Sequence, residues 1–358
     1  MFYRDDWDKV KKRYEAYWNN EVLDRCVINV SVPTRPDAYL YIPYPDNKEE
    51  RMKYWLDGEY LKKIWINNFE NTYYAGDSLP VLYLNLGAAG QAGFFKGAKF
   101  SLNADDSTVW FFPSLENYDD LEFDQNSLLY EKTIELAKYF ASENNGRYVI
   151  SMPDIAGNMD ALSLLRGGDR LLLDMLEKPE EVHAGLGKII DAWKTAIDNT
   201  FDIIKDCNDG GTAIGWLKLF APGKHAQLQA DISAMISSGM FNEFFEPELR
   251  TCAKHLDNAL YHLDGIEQIR HVDTLLSIED IKAIQWTHVD GQPSPVEYIP
   301  IFKRMQKAGK KLALILKQEE IEPIMTGLSS RGLYITTSAA SKEDADDIIK
   351  LVTKHTHE

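Results

Sequence analysis

A chain of 358 residues, 44% hydrophobic and 27% charged, is long enough to bury a large core and has the balance of an ordinary globular protein. Its formal charge of −17, with no basic cluster, excludes a surface built to neutralise nucleic-acid phosphates or anionic lipid headgroups. The three cysteines are scattered and form no CxxC pair, and no apolar leader or membrane-length apolar run is present, so the expectation is a cytoplasmic protein without a disulfide framework.

In chain order, WDKVKKRYEAYW (7–18) and GEYLKKIWINNFENTYY (58–74) have helical spacing and flank a first strand-like run, CVINVSV, from Cys26. VLYLNLG from Val81 and RYVISMP from Arg147 follow as further strands. A long helix opens at Pro179 with Glu180 and Glu181 in its first turn, and carries Val182, Leu186, Ile189, Trp193, Ile197, Phe201 and Ile204 as one apolar stripe. TAIGWLKLF from Thr212 reads as the fourth strand. Helix MFNEFFEPELRTCAKHL precedes NALYHLD from Asn258, AIQWTHV runs from Ala283, and helix VEYIPIFKRMQKAG precedes KLALILK from Lys311. LYITTS from Leu333 leads to a last helix capped by Ser341. Near-continuous aliphatic strands alternating with helices predict parallel βαβ units covered on both faces. Eight such strands predict a closed (β/α)8 TIM barrel: one α/β domain over 1–358, in which residues 1–80 supply a helical cover over one end and the first strand.

Barrels of this kind place their chemistry at the carboxyl ends of the strands. His262 and Asp264 lie two apart on one strand and so point the same way. That spacing predicts an imidazole and a carboxylate side by side in the largest pocket, at the barrel mouth. Asp154 follows VISMP, and Asp231 sits in the loop QADISAMISSGMF. His262, Asp264, Asp231 and Asp154 are therefore the candidate catalytic groups, since paired carboxylates and an imidazole are the usual agents of proton transfer. Trp216, Trp286, His288, Asn158 and Lys218 are the candidate substrate-binding residues, with Asp290 at the same strand end as His288. Each also has an ordinary structural role: a satisfied core histidine for His262, caps for Asp264 and Asp231, a turn for Asp154, a snorkelling amine for Lys218. GAAGQAGFFKG does not fit a dinucleotide-binding turn, and no GxSxG or HExxH is present.

LLRGGDRLLLDMLEKPEEVHAGL (164–186), DISAMISSGMFNEFFEPEL (231–249) and YHLDG (261–265) together resemble the uroporphyrinogen decarboxylase superfamily over roughly residues 80–350. The nearest branch is the corrinoid-linked methyltransferases, in the subgroup loosely labelled "trimethylamine corrinoid protein 2-like". The resemblance implies a (β/α)8 barrel. It also implies methyl transfer from a small methylated amine or methyl ether to a corrinoid on a separate partner protein, with Trp216 and Trp286 offering faces to a methylated ammonium. Two departures count. The loop SVPTRPDAYLYIPYPD offers only Arg35 to a tetrapyrrole's carboxylates, which argues against porphyrinogen decarboxylation. Asp264 stands where thiol-directed members carry the cysteine of His-x-Cys, and ITTSAAS lacks their late cysteine. Zinc would need His262 and Asp264 with His288 or water, a weaker site than a thiolate one. The expectation is thus no bound metal, and a hydrogen-bonding acid–base pair. Three other readings stay open: a decarboxylase or lyase on a small non-porphyrin acid held by Lys218, Lys317 or Arg166, a non-catalytic ligand-binding barrel, and a glycoside hydrolase.

Overall fold

A computed structural model describes residues 4–40, 45–102, 108–289 and 291–358. The strands are β1 (Val27–Pro33), β2 (Thr72–Gly76), β3 (Val81–Leu82), β4 (Lys99–Leu102), β5 (Val109–Phe112), β6 (Val149–Met152) and β7 (Gly211–Ile214). They continue with β8 (Leu219–Pro222), β9 (His225–Leu228), β10 (Asn258–Asp264), β11 (Ile281–Thr287), β12 (Lys311–Ile315) and β13 (Leu333–Thr336). The first helices are α1 (Trp7–Trp18), α2 (Lys48–Leu56), α3 (Gly58–Glu70), α4 (Leu128–Asn144), α5 (Asn158–Arg166), α6 (Gly168–Glu177) and α7 (Pro179–Ile204). Among the described residues no helix is long and apolar enough to cross a membrane.

The fold is α/β with parallel strands, but the expected ring of eight paired strands does not close. The ladders form two arcs, β1-β13-β12-β11-β10-β9 and β3-β6-β7, each parallel throughout. An antiparallel strand occupies an edge at each seam: β2 on the free edge of β1, and β8 on the free edge of β7. With its edge taken, β7 meets β9 through a side chain instead. Thr212 Oγ1 accepts the N–H of His225 and donates to the His225 carbonyl, both at 2.9 Å. The run TAIGWLKLF, expected as one strand, is thus the β7–β8 hairpin, with Trp216, Leu217 and Lys218 in its turn. Lys218 takes φ +56, a left-handed conformation that costs a side-chain-bearing residue energy and fits a tight turn.

Alternation along the strands sorts two packing faces. Ile28, Tyr261, Ile284, Leu312 and Ile335 join the cluster shared with the helices. Their neighbours Val27, Leu260, Ala283, Ala313 and Tyr334 join a second cluster with Val81, Val149, Ala213, the β8 residues Leu219 and Phe220, and α1. α1 supplies Val10, Tyr14 and Tyr17 at helical spacing, with Trp7 and Trp18, so its apolar stripe lies against the amino-terminal halves of the strands. It is pinned there by Asp77, fully buried, which accepts Arg13 Nη1 at 2.9 Å, the Arg25 guanidinium and the N–H of Ile28 at 3.1 Å. The carboxyl ends of the strands on this concave side are left to polar residues.

Candidate active site

His262 and Asp264 have the parity of Leu260, so both face the concave side at the carboxyl end of β10. Gly265, at φ +77, ends the strand and turns the chain into the segment Ile266–His271. β9 runs beside β10 and delivers Gln227 and, just past its end at Leu228, Gln229 and Asp231 to the same side. One imidazole nitrogen and one oxygen from each of Asp231 and Asp264 lie within 4.8 Å of one another. The third member of this group is Asp231, not the expected His288, which follows β11 and does not belong to the group.

The imidazole is held from behind. Gln285, opposite His262 in the β10–β11 register, donates its amide to the Trp286 carbonyl at 2.6 Å and to Thr287 Oγ1 at 3.1 Å. Its carbonyl oxygen therefore faces His262 Nδ1 at 2.5 Å and makes that nitrogen the donor. Nε2 is left with its lone pair. Burial lowers the His262 pKa, which keeps the ring neutral, against the opposing pull of Gln285, Asp264 and Asp160. Trp216 meets the imidazole edge to face, centroids 5.5 Å apart.

A hydrogen-bonded chain joins two of the three expected carboxylates, Asp154 and Asp231. Tyr83 donates to Asp154 Oδ2 at 2.6 Å, and Gln227 Nε2 to Asp154 Oδ1 at 3.1 Å and to Gln229 Oε1 at 3.0 Å. Gln229 Nε2 donates to Asp231 Oδ2 at 3.0 Å, and Trp216 Nε1 donates to Gln227 Oε1. Burial pushes Asp154 up to about 6, even though the Tyr83 bond favours its anion. Asp231 is exposed along one edge, yet its pKa is raised, first by the protein packed round its carboxyl and then by Asp160, Asp264 and Asp154. Asp160 fixes the loop: its oxygens accept the N–H groups of Asp231 and Ile232, both at 3.0 Å. Gly157 makes room for this, since a Cβ there would lie 2.3 Å from Asp160 Oδ2, and its φ of +74 disfavours any other residue.

Other expected residues lie elsewhere. Trp286 is 1% exposed and packs outward on Tyr298 and Phe302, because the register that turns Gln285 and Thr287 inward turns Trp286 toward the helices. Asn158 is buried in the first turn of α5, where it donates to Cys252 Sγ at 3.3 Å and accepts from Gln91. Lys218 reaches Ser31 Oγ at 3.4 Å, its pKa lowered by burial. Arg166 is engaged by Asp174 at 2.6 Å. Asp290 lies outside the described residues. A depression of ≈ 870 Å³ lies away from His262 and Asp264, among Arg4, Arg13, Asp24, Arg25, Asp346 and Lys350, whereas the space beside Asp154 and Trp216 is ≈ 10 Å³. Sequence reasoning missed Gln285, Gln227, Gln229 and Tyr83. The strict alternation of HAQLQA, polar at 225, 227 and 229, is the signal that reveals β9 and two of them.

No known family profile matches the chain, and no curated protein matches it either. Among solved structures, a methyltransferase from Methanosarcina mazei aligns over 96% of this chain and 98% of its own, with a TM-score of 0.63. At 11% identity, that likeness establishes a shared fold.

Proposed function

We propose that the chain is a methyltransferase of the uroporphyrinogen decarboxylase type, acting on a small methylated amine or methyl ether at Asp231, His262 and Asp264. The observation that carries this reading is the convergence of those three groups within 4.8 Å at the carboxyl ends of neighbouring strands. The M. mazei methyltransferase of like fold and the sequence resemblance point the same way. In line with the resemblance, the acceptor would be a corrinoid on a separate protein, which would supply the electron pair for the new bond to carbon. The bond from carbon to nitrogen or oxygen breaks with its pair on the heteroatom. Asp231, its pKa raised, brings a proton to that heteroatom, so the leaving group departs neutral. The lone pair of His262 Nε2 orients the substrate, and Trp216 holds the ring upright.

The decisive experiment incubates the protein with reduced cobalamin and a panel of methylamines and methyl ethers, and reads methylated cobalamin by absorbance. Turnover with at least one substrate, lowered about a hundredfold by Asp231→Asn, is expected. No methylation across the panel would count against methyl transfer and return a lyase of small acids to the front.

A second reading is favoured by the same geometry. With Asp231 ionised, one oxygen from each carboxylate and one imidazole nitrogen of His262 lie close enough together to hold a divalent cation, the orientation of the ring being fixed by Gln285. When bound, such a cation would act as a Lewis acid on the heteroatom.

A further inference from the structure

Tyr83 also borders a separate space. A cavity of ≈ 290 Å³ lies between α2, α3, α4 and the segment after β3, and Tyr54, Trp55, Trp65, Tyr83 and Phe140 supply half of its ten lining residues. None of the ten carries a charge, and none belongs to the Asp231–His262–Asp264 group. A space of this size suits a small organic ligand.

Aromatic walls without charge suit two kinds of guest, a neutral apolar group or an alkylated ammonium. Two observations favour the cation. Tyr83 donates to Asp154 at 2.6 Å, and a phenol bonded to a carboxylate presents a more electron-rich face. The chain's net charge of −17 concentrates cations around it. A bare ammonium is too strongly hydrated for such a wall, whereas an alkylated one loses its water cheaply and meets the rings through its methyl groups.

We propose that this cavity is a binding site for a small alkylated ammonium ion. The site goes beyond the methyl transfer proposed above and stands whether or not that reaction is the right one. Its test is calorimetric titration of the full chain with choline and with 3,3-dimethylbutan-1-ol, the neutral isostere. Choline is expected to bind about tenfold tighter than the alcohol, the usual scale of a desolvated cation–π contact. Trp65→Leu and, separately, Tyr54→Leu should each weaken choline about tenfold, with unchanged circular dichroism, and whichever variant folds decides the point. His262→Ala should bind choline as the wild type does, which separates this site from the carboxylate cluster. No binding, equal binding of the two probes, indifference to the aromatic substitutions, or loss in His262→Ala would each overturn the proposal.

Discussion

Gln285 Oε1 and His262 Nδ1 lie 2.5 Å apart, and the amide's other bonds leave it no choice of orientation. The glutamine thus sets which imidazole nitrogen carries the proton. A hydrogen bond to Nδ1–H favours the protonated ring, so its loss should lower the pKa further. Gln285→Leu is expected to drop the His262 pKa and Gln285→Glu to raise it, followed by NMR titration of the ring. Equal pKa values in all three proteins would show that Gln285 does not set the tautomer.

The concave site was legible in part, and the reason lies in register. The spacing of His262 and Asp264 fixes their shared direction without knowledge of any neighbour. Trp286 is different: whether it or Gln285 joins them depends on how β11 pairs with β10, His262 opposite Gln285, and no single strand reveals that. β9 escaped notice because its concave positions, His225 and Gln227, are polar and interrupt the apolar run expected of a buried strand. The β7–β8 turn escaped because Gly215-Trp216-Leu217-Lys218 lacks the usual turn dipeptides, and its apolar residues are held inside the fold.

Trp286 and Trp216 should separate cleanly. Trp286→Ala empties a fully enclosed position against Tyr298 and Phe302 and should cost about 3–5 kcal/mol in a denaturant titration, with turnover per folded molecule intact. Trp216→Phe keeps a ring near His262 but removes the N–H given to Gln227, so it should lower turnover with little change in stability. The reverse pattern would place Trp286 at the substrate.

Glu248 gives the pH dependence of stability a sign. Its carboxyl is buried, with Oε1 on the N–H of Asn158 at 3.2 Å and Oε2 without a partner among the described residues. Burial, then Asp160, pushes it up to about 8 from 4.5. The folded state therefore holds a proton that the unfolded chain releases from about pH 4.5 upward, so stability falls as pH rises and levels off above about 8. The fall from this group is about 5 kcal/mol. Asp231, raised to about 8 from 3.8, adds a fall of the same sign over much the same window, and Asp154 a smaller one that ends near pH 6. Glu248→Gln should remove the Glu248 share of the decline, leave that of Asp231, and be more stable than the wild type at pH 9, as measured by urea unfolding across pH. A wild type whose stability is flat from pH 5 to 8 would show Glu248 to be ionised in the fold.

Cobalt(II) titration examines the cation reading apart from any activity. Two carboxylates and one imidazole make a weaker donor set than thiolates, so the protein as purified should carry well under one metal ion per chain by elemental analysis. Added cobalt(II) should nonetheless bind one to one with visible absorption, since one imidazole nitrogen of His262 and one oxygen from each of Asp231 and Asp264 lie within 4.8 Å of one another. The proton that the crowded carboxylates hold on Asp231 competes with the ion, so affinity should rise with pH across the titration of that group. Asp231→Asn and His262→Ala should abolish the absorption. Gln285→Leu, which frees the ring without touching a donor, should weaken binding about 10–100-fold. Saturable binding that survives both Asp231→Asn and His262→Ala would place the ion elsewhere and leave Asp231 to act as an acid alone.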